Sequence, residues 1–69
     1  MNLILYFEFT DGTEAMQQTW DDLRGIPVPL IGDWICPGKG DYRILNRTFS
    51  YDESGVTVYF LCELVPEND

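Results

Sequence analysis

Residues 3–10, LILYFEFT, alternate: Leu3, Leu5, Phe7 and Phe9 fall on one face, and Ile4, Tyr6, Glu8 and Thr10 on a mixed one. Alternation with a period of two predicts a half-buried strand. Asp11-Gly12 follows, a dipeptide suited to a two-residue type I′ hairpin because both positions tolerate positive φ. A strand returning from that turn pairs Phe7 with Met16 and Leu3 with Trp20, apolar opposite apolar. The same stretch, TEAMQQTWDDLRGIP, also carries a helical reading. Asp11 would cap it with Glu14 three residues on, Met16, Trp20 and Leu23 would form its stripe, and Gly25 and Pro27 would stop it. Residue preference favours the helix; turn chemistry and cross-strand pairing favour the hairpin, which is the reading adopted. One short helix around 13–24, packed on the sheet, is the alternative.

Residues 25–32 read as a loop, with Pro27 and Pro29 imposing an extended course. Residues 33–36 make a short strand, closed by the turn Cys36-Pro37-Gly38-Lys39-Gly40. Residues 42–51 and 56–64 form a long hairpin across the loop 52–55. Tyr51 then opposes Val56, Phe49 opposes Val58 and Arg47 opposes Phe60, which puts an arginine in an apolar stripe. Two structural accounts resolve this. A β-bulge near Leu45-Asn46 would shift the alternation, so that Tyr42 and Ile44 face the core before it and Phe49 and Tyr51 after it. Alternatively, Arg47 lies at the barrel rim, its stem on Phe60 and its head on a carboxylate, with Asp33, Asp41 and Glu63 as candidates. The expected organisation is one domain over 1–65, with a frayed tail at 66–69.

The stretches Pro29-Leu30-Ile31-Gly32-Asp33-Trp34-Ile35, Tyr42-Arg43-Ile44-Leu45-Asn46-Arg47-Thr48-Phe49 and Val56-Thr57-Val58-Tyr59-Phe60-Leu61 resemble small, mostly uncharacterised SH3-like β-barrel proteins of bacteria and phages. The resemblance covers about half the chain. It implies an all-β fold, a small SH3-like, partly open barrel of about five antiparallel strands, and it transfers no catalytic or binding residue.

Composition narrows the chemistry. Twelve acidic residues against four basic ones leave a formal charge of −8, and there is no histidine. Binding to phosphate needs clustered Lys and Arg, so direct contact with nucleic acid or an anionic membrane is not expected. The acids are scattered, which fits a solubilising surface. Without histidine there is no Ser-His or Cys-His nucleophile pair and no imidazole metal site. Cys36 and Cys62 lack the paired spacing of a zinc site and read as reduced, buried thiols. Gly38-Lys39-Gly40 lacks the remainder of a phosphate loop. Asp21-Asp22 with Asp33, or Asp52-Glu53, offers oxygens to a cation but no calcium-loop pattern. No cofactor and no metal are expected, and the chain does not read as an enzyme.

What remains is a surplus of aromatic residues on a small acidic domain. The expectation is a cytoplasmic, non-enzymatic protein-binding module. Tyr59, on the minority face of the last strand, is the foremost contact residue, and Trp34 and Arg47 are further candidates. Tyr59 would serve equally well to cover a sheet edge or to form a homodimer. The rival is an inhibitor that imitates nucleic acid toward a basic protein, with Asp21, Asp22, Asp52 and Glu53 standing in for phosphates.

Overall fold

The computed structural model describes residues 2–21, 28–38 and 40–66. There the alternating stretches become five strands: β1 Asn2–Phe9, β2 Met16–Trp20, β3 Trp34–Gly38, β4 Gly40–Asp52 and β5 Gly55–Leu64. They form one sheet in the order β2-β1-β5-β4-β3, curled into a half-barrel. The all-β, partly open barrel expected from the alternation is therefore what the chain builds. One junction departs from an all-antiparallel arrangement. β1 runs parallel to β5, with Asn2 opposite Gly55 and Phe9 opposite Cys62, while the other neighbours are antiparallel.

Residues directly opposite one another share a face of the sheet, so the register writes the concave surface row by row. Trp20, Leu3, Val56 and Tyr51 make the first row. Gln18, Leu5, Val58 and Phe49 follow, then Met16, Phe7, Phe60 and Arg47, then Phe9, Cys62 and Ile44. The middle of these rows is the core, with Tyr42 added from β4. Phe7 and Phe60 stack with centroids 4.8 Å apart, and Phe9 tilts against Tyr42 at 4.6 Å. Each such side chain taken out of water contributes about 1.5–3 kcal/mol. Met16, Trp20, Val28, Ile35 and Val56 pack round the margin.

The region with two readings contains no helix where it is described, and Met16–Trp20 is β2, with Phe7 opposite Met16 and Leu3 opposite Trp20. The remainder of the alternative helix, residues 22–24, lies outside the described residues. The turn itself differs from the expected type I′. Only Gly12 takes a positive φ (+88°) and Asp11 does not, and pairing stops at Phe7–Met16. The reason lies across the barrel. The buried Tyr42 hydroxyl donates to Asp11 Oδ2 at 2.9 Å and lies 3.1 Å from Thr13 Oγ1, which draws the connection away from a tight hairpin.

On the opposite, convex face, Tyr6 meets Tyr59 edge-on at 5.8 Å, and Arg43 Nε donates to Glu63 Oε2 at 3.0 Å. The cysteines divide. Cys62 is buried in the core, where desolvation pushes its thiol up to about 11. Cys36 is exposed on β3, against the expectation of two buried thiols, because the turn-side end of that short edge strand has only one covered face. Among the described residues no helix is long and apolar enough to cross a membrane.

Candidate functional site

The arginine in the apolar stripe marks the most unusual part of the surface, and both structural accounts of it hold in part. The ladder slips between Ile44 and Asn46, a bulge at Leu45. Tyr42 and Ile44 are buried before it, and Arg47, Phe49 and Tyr51 share the face of Phe60, Val58 and Val56 after it. Arg47 does lie at the rim, but its head is not on a carboxylate. Its Nη1 donates to the Pro29 carbonyl at 3.1 Å, and its guanidinium sits 5.1 Å from the centre of the Phe49 ring. Asp33 is engaged elsewhere, accepting from Leu30 N at 2.8 Å within its own turn, and Glu63 takes Arg43. Arg47 thereby holds the 28–30 segment, including the half-buried Val28, over the concave face.

β3 covers only part of β4. Its last bonds along the outer edge of β4 are Gly32 N to Ile44 O and Ile44 N to Asp33 O, both 2.9 Å. Beyond Ile44, over residues 45–52, β4 has no strand on its outer side among the described residues. Phe49 and Tyr51 stand along this open half, their rings nearly parallel with centroids 6.4 Å apart. Tyr51 is 75% exposed. At the other end of the open half, the 30–33 turn presents Leu30 and Ile31, also exposed. The strip therefore joins an unpaired strand edge, two stacked aromatic rings, a guanidinium and two exposed aliphatic side chains.

The residues singled out from the sequence do not converge. Tyr59, 44% exposed, and Trp34, 59% exposed, lie on the convex face, in rows separated by that of Leu61. Arg47 is on the concave side. Asp21 follows β2, exposed; Asp22 lies outside the described residues. Asp52 and Glu53 are at the tip of the long hairpin, whose loop is the two residues Glu53-Ser54 with Asp52 opposite Gly55, tighter than the expected four. Phe49 was expected in the core, and it faces the core side, yet β3 is too short to bring anything over it. The spacing of the turn residues Gly32 and Gly40 was the available signal that β3 had to be short.

The open side of the curl leaves an apolar cleft of about 360 Å³ between β2 and β3, lined by Leu5, Phe7, Met16, Trp20, Ile35 and Pro37 among others. Among the described residues its lining also includes Cys36 and Gln18 and no carboxylate. Comparison with protein-family models, curated proteins and solved structures returns no match. The functional reading therefore stands on the geometry of this chain.

Asp52 has a structural task. Its Oδ1 accepts from the Ser54 hydroxyl at 2.6 Å, Ser54 N at 2.8 Å and Gly55 N at 3.1 Å. These bonds, the Ser54 hydroxyl first, hold its carboxyl below the ordinary value of 3.8. A depressed folded-state value means that the stabilisation is complete well above 3.8 and is lost as pH falls through and below it. Thermal midpoints measured from about pH 6 to about pH 2.5 should therefore fall more steeply below about pH 4 in the wild type than in Asp52→Asn, which keeps an acceptor that does not titrate. Parallel curves would show that the turn bonds do not distinguish the charged form.

Proposed function

We propose that this chain is a small, non-enzymatic, cytoplasmic protein-binding module that takes its partner along the open edge of β4. The observation that carries the reading is the juxtaposition of unpaired strand with Arg47, Phe49 and Tyr51. An open edge offers main-chain hydrogen bonds to an added strand, and side chains on alternate positions give selectivity. Tyrosine and arginine are among the residues that most often dominate binding energy. The SH3-like kinship suggested by the sequence, with its bacterial or phage setting, belongs to this proposal. The geometry moves the preferred contact from Tyr59 and Trp34 to Tyr51 and Phe49.

Imitation of nucleic acid draws less support. Asp11, Asp33 and Asp52 are spent on bonds within their own turns, Glu63 is paired with Arg43, and the other described carboxylates, Glu8 on β1, Glu14 and Asp21 either side of β2, Asp41 near the start of β4 and Glu53 at the hairpin tip, form no single cluster.

Affinity capture from nuclease-treated lysate, with wild type, Tyr51→Ala and Tyr59→Ala run side by side, tests the reading. A partner of the edge should survive a wash from about 50 to 200 mM salt, because the contact is apolar and main-chain in character. It should be lost at least tenfold in Tyr51→Ala and retained in Tyr59→Ala. A partner that elutes with salt and ignores Tyr51 would overturn the reading in favour of the acidic surface.

A further inference from the structure

We infer that the occupant of the open β4 edge is a second copy of this chain, paired antiparallel across a two-fold axis at Thr48. This rests on the edge reading above and narrows it to one partner.

Arg47 N–H is not spent on the ladder to β5; it donates to Asn46 Oδ1 at 2.9 Å. Alternate residues of an antiparallel strand direct their main-chain groups to the same side, so Phe49 and Tyr51 present theirs outward with Arg47. Two such edges can pair only outward-facing residue to outward-facing residue. The open span 45–51 is symmetric about Thr48. Antiparallel pairing centred there sets Arg47 opposite the partner's Phe49 and Thr48 opposite its own copy, with the bulged Leu45 beyond this paired centre. Thr48 then occupies a non-hydrogen-bonded position, where facing Cα atoms are only about 4.5 Å apart. The same patch serves both copies, as a two-fold interface requires.

The chemistry of the two ends fits this arrangement. The 30–33 turn is bonded to β4 at Ile44, at one end of the open span, and exposes Leu30 by 54% and Ile31 by 59%. Tyr51 stands at the other end. Antiparallel alignment brings the Tyr51 of each copy to the Leu30-Ile31 turn of the other, so each chain covers the other's most exposed apolar groups.

Charge selects the same surface. Two chains of formal charge −8 repel and can meet only where carboxylates are lacking. Between Asp41 and Asp52 there is no acid, and this run holds Arg43 and Arg47, two of the four basic residues. Arg43 is neutralised by Glu63 on the convex face, so the open span 45–51 carries Arg47 and no carboxylate, which spares it the repulsion the rest of the surface would meet.

The test is the solution mass of the intact chain by sedimentation equilibrium, from about 1 to about 500 µM at near-physiological salt. Wild type should pass from monomer to dimer over this range, and added salt should strengthen the dimer by screening the repulsion. Thr48→Lys and Thr48→Glu each place like charges directly opposite each other, and each should dimerise at least tenfold more weakly with an unchanged circular dichroism spectrum. An equimolar mixture of the two should recover the dimer. Monomeric wild type throughout the range would overturn the inference. So would a dimer indifferent to both substitutions, and loss in both without recovery on mixing would overturn the axis at Thr48. A monomeric wild type that nevertheless captures a foreign protein, and loses it in Tyr51→Ala, would refute the second copy while leaving the binding-module reading standing.

Discussion

Gly55→Ala should remove about 3–5 kcal/mol of stability, most of what a chain of this size possesses. Gly55 opens β5 at φ +149°, a conformation that side chains rarely tolerate, and a Cβ built there lies 1.9 Å from Asn2 O and 2.6 Å from Asn2 N. These are main-chain atoms of the paired strand, so no rotamer change relieves the clash. Relief requires β1 to withdraw from β5 at Asn2–Gly55, where Asn2 N also donates to Ser54 O at 2.8 Å. Overpacking of this kind costs roughly 1–3 kcal/mol and the backbone strain roughly 1–3 more. At about 0.05–0.15 kcal/mol per residue the whole fold is worth only several kcal/mol. Urea titration should therefore show a large loss of midpoint or no native baseline. Gly12→Ala is the control: its φ is +88° but nothing lies within 4 Å of the added Cβ, and its loss should be about 1 kcal/mol, from the backbone alone. A Gly55→Ala midpoint equal to that of Gly12→Ala would show that β1 does not approach Gly55 as described.

Phe60→Ala should be comparably damaging for the opposite reason, at about 3–5 kcal/mol. Phe60 is 1% exposed, stacked on Phe7, and stands in the row that links β2, β1, β5 and β4. Truncation leaves a void that main chain on both sides cannot close. Phe60→Leu, which keeps most of the volume, should cost less than half as much. Tyr51→Ala, on the same face two rows away but exposed, should stay within about 0.5 kcal/mol of wild type. That ordering in thermal or urea unfolding separates the covered half of the concave face from the open one; equal losses at Phe60 and Tyr51 would abolish the distinction.

Much of this framework was legible from side-chain alternation. Leu3, Leu5, Phe7 and Phe9 announced β1, and the pairs Phe7–Met16, Leu3–Trp20 and Tyr51–Val56 followed from turn position. The bulge was legible because Arg47 misfitted its stripe. Strand direction was not legible: alternation in β1 and β5 reads the same whether the two run parallel or antiparallel. Nor was the Arg47 partner, since the Pro29 carbonyl is a main-chain acceptor of the kind almost every residue carries. The candidate site was half visible for a related reason. Alternation places Phe49 and Tyr51 on the Phe60 side of the sheet, but whether anything lies above them depends on where β3 ends.

The parallel pairing of β1 with β5 has a consequence for biosynthesis. β1 is synthesised before its central neighbour β5 and can pair with it only after the whole chain between them has been made. Until then Leu3, Leu5, Phe7 and Phe9 have β2 alone beside them, and an isolated two-stranded hairpin is marginal in water. Of the four strand pairings only β1 with β5 joins segments distant in sequence, and waiting for it slows completion of the sheet and prolongs exposure of that apolar row. For this chain, proteostasis pressure should concentrate in the interval before β5 emerges, and translational pausing upstream of Gly55 should raise aggregation more than pausing after it.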